Sequence, residues 1–94
     1  MRLRLEEDLK AAMKGGDKRS VSTLRLLLSA LKNEKIQAQR ELTDEEVEAA
    51  IRRAVKQRRE AIEQYERGNR RDLVEAETEE LAILQAYLPQ ELSE

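Results

Sequence analysis

Ninety-four residues bound the chain to one domain and one modest core, since a single core typically serves about 50 to 200 residues. Eighteen Lys plus Arg against 20 Asp plus Glu give a formal charge of −2, so any nucleic-acid role must use a local patch and not the net field. No cysteine and no histidine means no disulfide, no thiolate chemistry, no usual neutral-pH base and none of the commonest metal ligand, so neither metal nor cofactor is expected.

Residues 1 to 14 alternate charge with leucine and no apolar run nears the roughly 18 residues of a membrane helix, so the expectation is a cytosolic protein with no membrane partner. Charged residues reach 40%, which makes disorder the alternative to weigh; yet the apolar residues recur at helical spacing almost throughout, which a solvated polyelectrolyte has no reason to maintain. Leu5, Leu9, Ala12 and Met13 form the stripe of a first helix over about residues 3 to 14, stopped by Gly15-Gly16. Asp17 caps a second, from Lys18 to about Gln37, with Val21, Leu24, Leu27, Leu28 and Leu31 on its main face and Leu26, Ala30 and Ile36 on its flanks. That spread of apolar positions predicts a central helix.

Thr43-Asp44-Glu45-Glu46 reads as a capping box and opens a third helix to about Arg67, where Gly68 is expected to supply a left-handed stop. Asn69 is then expected to cap a fourth helix that Pro89 ends at Leu88. No segment alternates with period two for long enough to be a strand. The fold class is all-α: a four-helix up-and-down bundle, or two packed helical hairpins, with short connections.

Three polar constellations interrupt this pattern. Arg58 falls on the apolar face of the third helix among Val47, Ile51, Val55, Ile62 and Tyr65, and Glu77 and Glu80 fall on that of the fourth among Leu73, Val74, Leu81 and Leu84. About an antiparallel turn at Gly68-Asn69 these charges face one another, and a structural ion pair fixing helix register is the favoured reading; a dicarboxylate catalytic or metal site lacks the histidines that carboxylate-bridged centres in helical bundles use. Arg52, Lys56 and Arg59, at i, i+4 and i+7, make a cationic stripe that suits a phosphate backbone. Pairs such as Lys56–Glu60 and Arg59–Glu63 would instead make it a merely solvated face. On the second helix, Arg25 and Lys32 could join the stripe if the two helices are neighbours. Ser22 and Ser29 beside them have no base to activate a hydroxyl, so no catalytic residue is assigned.

STLRLLLSALK at 22 to 32, KQRREAIEQYERGNRRDL at 56 to 73 and ILQAYLPQELSE at 83 to 94, with the opening LEEDLKAAMKGGDKRSVSTLR, resemble the YqeY proteins of the GatB/YqeY family over the whole chain. The specific part is Arg-x-x-x-Ile-x-x-Tyr-x-x-Gly, then Arg-x-Asp-Leu, then Tyr-Leu-Pro. The resemblance implies an N-terminal helical domain, here residues 1–94, with a smaller helical domain of the family absent after 94, and kinship with the tail of the B subunit of the glutamine-dependent tRNA amidotransferase. It also implies a link to carbon–nitrogen ligase activity with glutamine as amide donor, the chain itself being an RNA-binding or accessory element. The expectation is a noncatalytic module that contacts tRNA or another structured RNA through Arg52, Lys56 and Arg59, with Arg25 and Lys32. The rival is a protein–protein adaptor with an apolar groove and no RNA role.

Overall fold

A computed structural model describes residues 2–88, with side chains from Arg4 onward. Four helices follow one another: α1 Arg2–Gly15, α2 Lys18–Ala38, α3 Asp44–Arg67 and α4 Arg71–Gln85, and no strand occurs among the described residues. The α1–α2 hairpin packs on the α3–α4 hairpin, and α2 touches all three other helices. The leucine spacing explains that position. Leu24, Leu27 and Leu31 are buried on α2 beside Leu5 of α1, Val47, Ala50, Ile51 and Val55 of α3, and Leu84 of α4. Leu26 and Ile36 point outward instead, about 60% exposed each.

Helix ends follow cap chemistry. Asp17 accepts from the backbone N–H of Ser20 and from its hydroxyl, at 3.2 and 2.7 Å, to open α2. Thr43 and Glu46 form a complete capping box on α3: the Thr43 hydroxyl accepts from the Glu46 amide at 3.1 Å, and Glu46 accepts from the Thr43 amide at 2.8 Å. At the end of α1, Gly16 takes φ +74°, with Asp17 N–H bonded to Ala12 C=O at 3.0 Å, the paired-bond ending that left-handed glycine permits.

The α3–α4 turn departs from the sequence expectation. Gly68 has φ −89°, and Asn69, at +59°, is the left-handed residue. Arg70 N–H bonds Tyr65 C=O at 2.9 Å and Asn69 N–H bonds Glu66 C=O at 3.2 Å, so Asn69 ends α3 and does not cap α4. Asparagine tolerates this conformation better than most side chains, which lets the turn place its glycine one residue earlier. Arg70 stands at the cap of α4, and its side chain makes no capping hydrogen bond. That helix ends at Gln85, three residues before the expected Leu88 stop, and closes in a turn through Tyr87 and Leu88; Pro89 lies outside the described residues.

No residue from Lys56 to Ile83 is fully buried, although Ile62, Tyr65, Leu73 and Val74 are half-buried along the α3–α4 seam. The far half of this hairpin is therefore an arm covered mainly by its own two helices. A radius of gyration of 14.2 Å, against about 12 Å for a compact chain of this length, fits such a projection.

Candidate functional site

The charges on the helix seams meet where the arm leaves the body. Arg58 Nε lies 2.9 Å from Glu80 Oε1 and 3.4 Å from Glu77 Oε1, and these three side chains are only 14 to 21% exposed. The contact is ionic and not a well-aimed hydrogen bond, since Arg58 Nε and Glu77 Oε1 are both buried without a hydrogen-bond partner. Arg19, near the start of α2, reaches the same place: its Nη1 is 3.5 Å from Glu80 Oε2 and its Nε donates to Glu79 Oε1 at 3.2 Å. Glu80 thus joins α3 to α2. Sequence periodicity gave no hint of Arg19, which belongs to the first turn of a helix and to no apolar stripe.

Burial, and then the neighbouring Glu80 carboxylate, push the Glu77 carboxyl above its ordinary value, with Arg58 opposing. A protonated acid can serve in catalysis; this one faces a guanidinium and a carboxylate of its own fold. The three side chains link α3 to α4. Among the described residues no three His, Cys, Asp or Glu side chains gather to hold a metal ion, and no helix is long and apolar enough to cross a membrane. A shallow, open depression of about 440 Å³ lies between the end of α2 and the start of α3, lined by Glu34, Leu42 and Glu46 among others. Its two carboxylates are occupied, Glu34 by Arg53 at 2.6 Å and Glu46 by Arg40 at 2.7 Å.

The remaining candidates are cations. Arg52 is exposed and bonds Glu48 one turn back at 2.7 Å. Lys56 and Arg59 are exposed and have no ion-pair partner among the described residues, so neither bonds the glutamate four positions on. Arg25 and Lys32 are likewise exposed and unpaired among the described residues. They do not join the α3 stripe. Glu34 of α2 bridges to α3 through Arg53, and at 100° per residue Arg25 and Lys32 lie roughly 160 to 180° around α2 from it. Arg53 in turn lies about 100° and 120° around α3 from Arg52 and Arg59, and about 60° from Lys56. The molecule carries two separate cationic flanks, one on α3 and one on the outer side of α2.

At the other end of the body, the Tyr87 hydroxyl donates to the Asp8 carboxylate, and the Arg4 guanidinium lies 4.9 Å from the centre of the Tyr87 ring. This clasp ties the turn after α4 to α1, and periodicity missed it because Tyr87 reads as one more apolar position.

Known proteins bear on these features. The family described as Yqey-like protein matches residues 2–94. The chain is 39% identical over 87 residues to "Altered inheritance of mitochondria protein 41, mitochondrial" of Lachancea thermotolerans, covering 92% of this chain and 46% of that protein. It is 38% identical to the protein of the same name in Vanderwaltozyma polyspora, covering 92% and 47%. A protein of Schizosaccharomyces pombe is 30% identical over 89 residues, covering 95% of this chain and 72% of that one. The chain thus spans about half the length of the first two relatives. Their names correct the cytosolic expectation: several relatives are mitochondrial proteins. The expectation rested on the lack of an apolar signal core, whereas mitochondrial addresses are amphipathic and Arg-rich, which that criterion does not detect. A match along the whole helical body, carrying the Arg58-to-Leu73 motif that builds the arm, places the chain in the YqeY-like protein family.

Proposed function

We propose that this chain is a noncatalytic helical module that contacts tRNA or another structured RNA through the α3 flank. The carrying observation is that Lys56 and Arg59 stand exposed with no ion-pair partner among the described residues, although Glu60 and Glu63 follow each of them by one helical turn. A cation left unpaired beside an available carboxylate can neutralise a phosphate without first breaking a bridge. Arg52 extends the stripe but shares its guanidinium with Glu48. The class of RNA comes from the resemblance to the amidotransferase B-subunit tail, and the same resemblance links the chain to glutamine-dependent carbon–nitrogen ligase systems as an accessory. The noncatalytic part rests on composition and on where the hydroxyls stand: the chain has neither histidine nor cysteine, and the hydroxyls that meet a carboxylate, Ser20 on Asp17 and Tyr87 on Asp8, belong to a helix cap and to the clasp on α1.

Arg25 and Lys32, on the outer flank of α2, form no part of this surface. The test is a filter-retention titration of tRNA at two salt concentrations. Charge reversal of Lys56 and Arg59 together should abolish retention and flatten its salt dependence, while reversal of Arg25 and Lys32 should leave both unchanged. Equal retention by wild type and the Lys56→Glu/Arg59→Glu variant would refute the RNA reading, and a protein that copurifies after nuclease treatment would then favour an adaptor.

A further inference from the structure

Where the arm turns back, Arg67 and Arg71 are exposed and have no ion-pair partner among the described residues, while Arg70 between them is held by Asp72 at 3.2 Å. We propose that these two arginines form a second phosphate contact, and that together with Lys56 and Arg59 they fit the arm to double-stranded RNA, one cationic cluster on each of two phosphate ridges with a groove between. This rests on the RNA reading above and specifies it further.

Spacing is the first argument. Along α3, Arg67 stands about 12 Å beyond Arg59 and about 16 Å beyond Lys56 at 1.5 Å per residue. That gap is wider than neighbouring phosphates on one strand require, and it is not electrically neutral. Glu60, Glu63 and Glu66 occupy it, all exposed. A continuous strand laid along α3 would run over these carboxylates, whereas two ridges flanking a groove leave them over the groove.

The second argument concerns aromatics. Single-strand binders stack bases on exposed aromatic rings. Here the two tyrosines are spent on structure: Tyr87 is 8% exposed and clasped to Asp8, and Tyr65 is half-buried in the arm's seam. With no stacking platform, backbone geometry is what the surface can read, and A-form duplexes are recognised by shape and backbone across a wide, shallow minor groove. Projection of the arm from the body gives a duplex access to both clusters.

The experiment uses this chain with a blunt RNA duplex of about 16 base pairs and an unstructured pyrimidine single strand of equal length. At a slope of about 0.9 per contact, four contacts lose about 150-fold in affinity between 50 and 200 mM salt and two lose about 12-fold. Wild type should therefore prefer the duplex and show the steeper loss. Arg67→Ala/Arg71→Ala should show the shallower one and bind duplex no better than single strand, with far-UV circular dichroism unchanged because both side chains are exposed. Equal wild-type affinity for duplex and single strand, or a double variant that keeps the steep slope, would overturn the proposal while leaving the RNA reading standing. Absence of binding to either RNA would remove both.

Discussion

Thr23 shows how single side chains set the stability of this small body. It is 2% exposed and its hydroxyl has no hydrogen-bond partner, a debt of about 1 to 3 kcal/mol for a buried polar group. Thr23→Val keeps the shape and removes the hydroxyl, so it should raise the melting temperature by roughly 4 to 8 °C per kcal/mol regained. An unchanged or lower melting temperature would show that the hydroxyl is satisfied in solution. The two glutamates facing Arg58 should respond in opposite ways. Glu80 is shared by Arg58 and Arg19, so Glu80→Gln weakens two contacts. Breaking a fully buried pair costs about 3 to 5 kcal/mol, and here the partial exposure brings the expected loss to about 1 to 3. For Glu77 the folded-state pKa is raised, chiefly by burial, so the folded protein holds its proton after the unfolded chain has released it. Stability therefore falls as pH rises through the window above the ordinary carboxylate value. Glu77→Gln should flatten that fall and leave the protein at least as stable at pH 7. Urea unfolding of both variants at pH 4.5 and 7.5 checks the pair, and a destabilised Glu77→Gln would mean that its carboxylate holds Arg58 in place.

Individual helices were legible where one local chemistry dominates. The start of α3 could be read because Thr43 and Glu46 satisfy each other's backbone amides, and that box also predicts its pH response. Glu46 is held at about 2, first by the Arg40 hydrogen bonds and then by the Thr43 amide. Because the folded value is depressed, its contribution is complete above the ordinary carboxylate range and is lost as pH falls toward 2. Helicity followed by circular dichroism should decline earlier in acid for wild type than its apolar packing alone requires, and Glu46→Gln should blunt that acid limb. Thr43→Ala should cost about 1 kcal/mol at neutral pH, the usual value of an N-cap. Legibility failed where two local solutions compete. Gly68-Asn69 offers two residues tolerant of positive φ, and the backbone bonds to Tyr65 and Glu66 chose the second. The end of α2 carries no glycine: Gln39 adopts φ +58° there, a conformation its sequence does not announce. Pairings across helices were partly hidden for a related reason. Arg58, Glu77 and Glu80 betrayed themselves as charges on apolar stripes, while Arg19, Asp8 and the Arg53–Glu34 bridge occupy ordinary polar positions and become visible only once the helices are packed.

At the scale of the molecule, α1 is held mainly by α2, its partner in the hairpin. It contributes Leu5 to the core, with Leu9 packed against it, and Met13 is left half exposed. What binds its outer turns to the rest of the chain is the clasp from Tyr87 to Asp8, with Arg4 against the ring face. The clasp closes the body, because it joins the first helix to the turn after the last. Burial, and then the Asp8 carboxylate, raise the Tyr87 hydroxyl above its ordinary value, so the contribution is complete below the unfolded tyrosine value and is lost only in strong alkali. Tyr87→Phe removes the hydroxyl and keeps the ring, leaving Asp8 to water and Arg4 over an aromatic face. A hydrogen bond to a charged acceptor contributes about 1.5 to 3 kcal/mol, so the loss should be felt first as local opening of α1. Hydrogen exchange should quicken by about tenfold or more at α1 amides while those of the α3 segment around Ile51 change only by the global shift. Uniform quickening along the whole chain would mean that α1 opens only with the rest, and that the four helices form one cooperative unit in which the clasp is just another core contact.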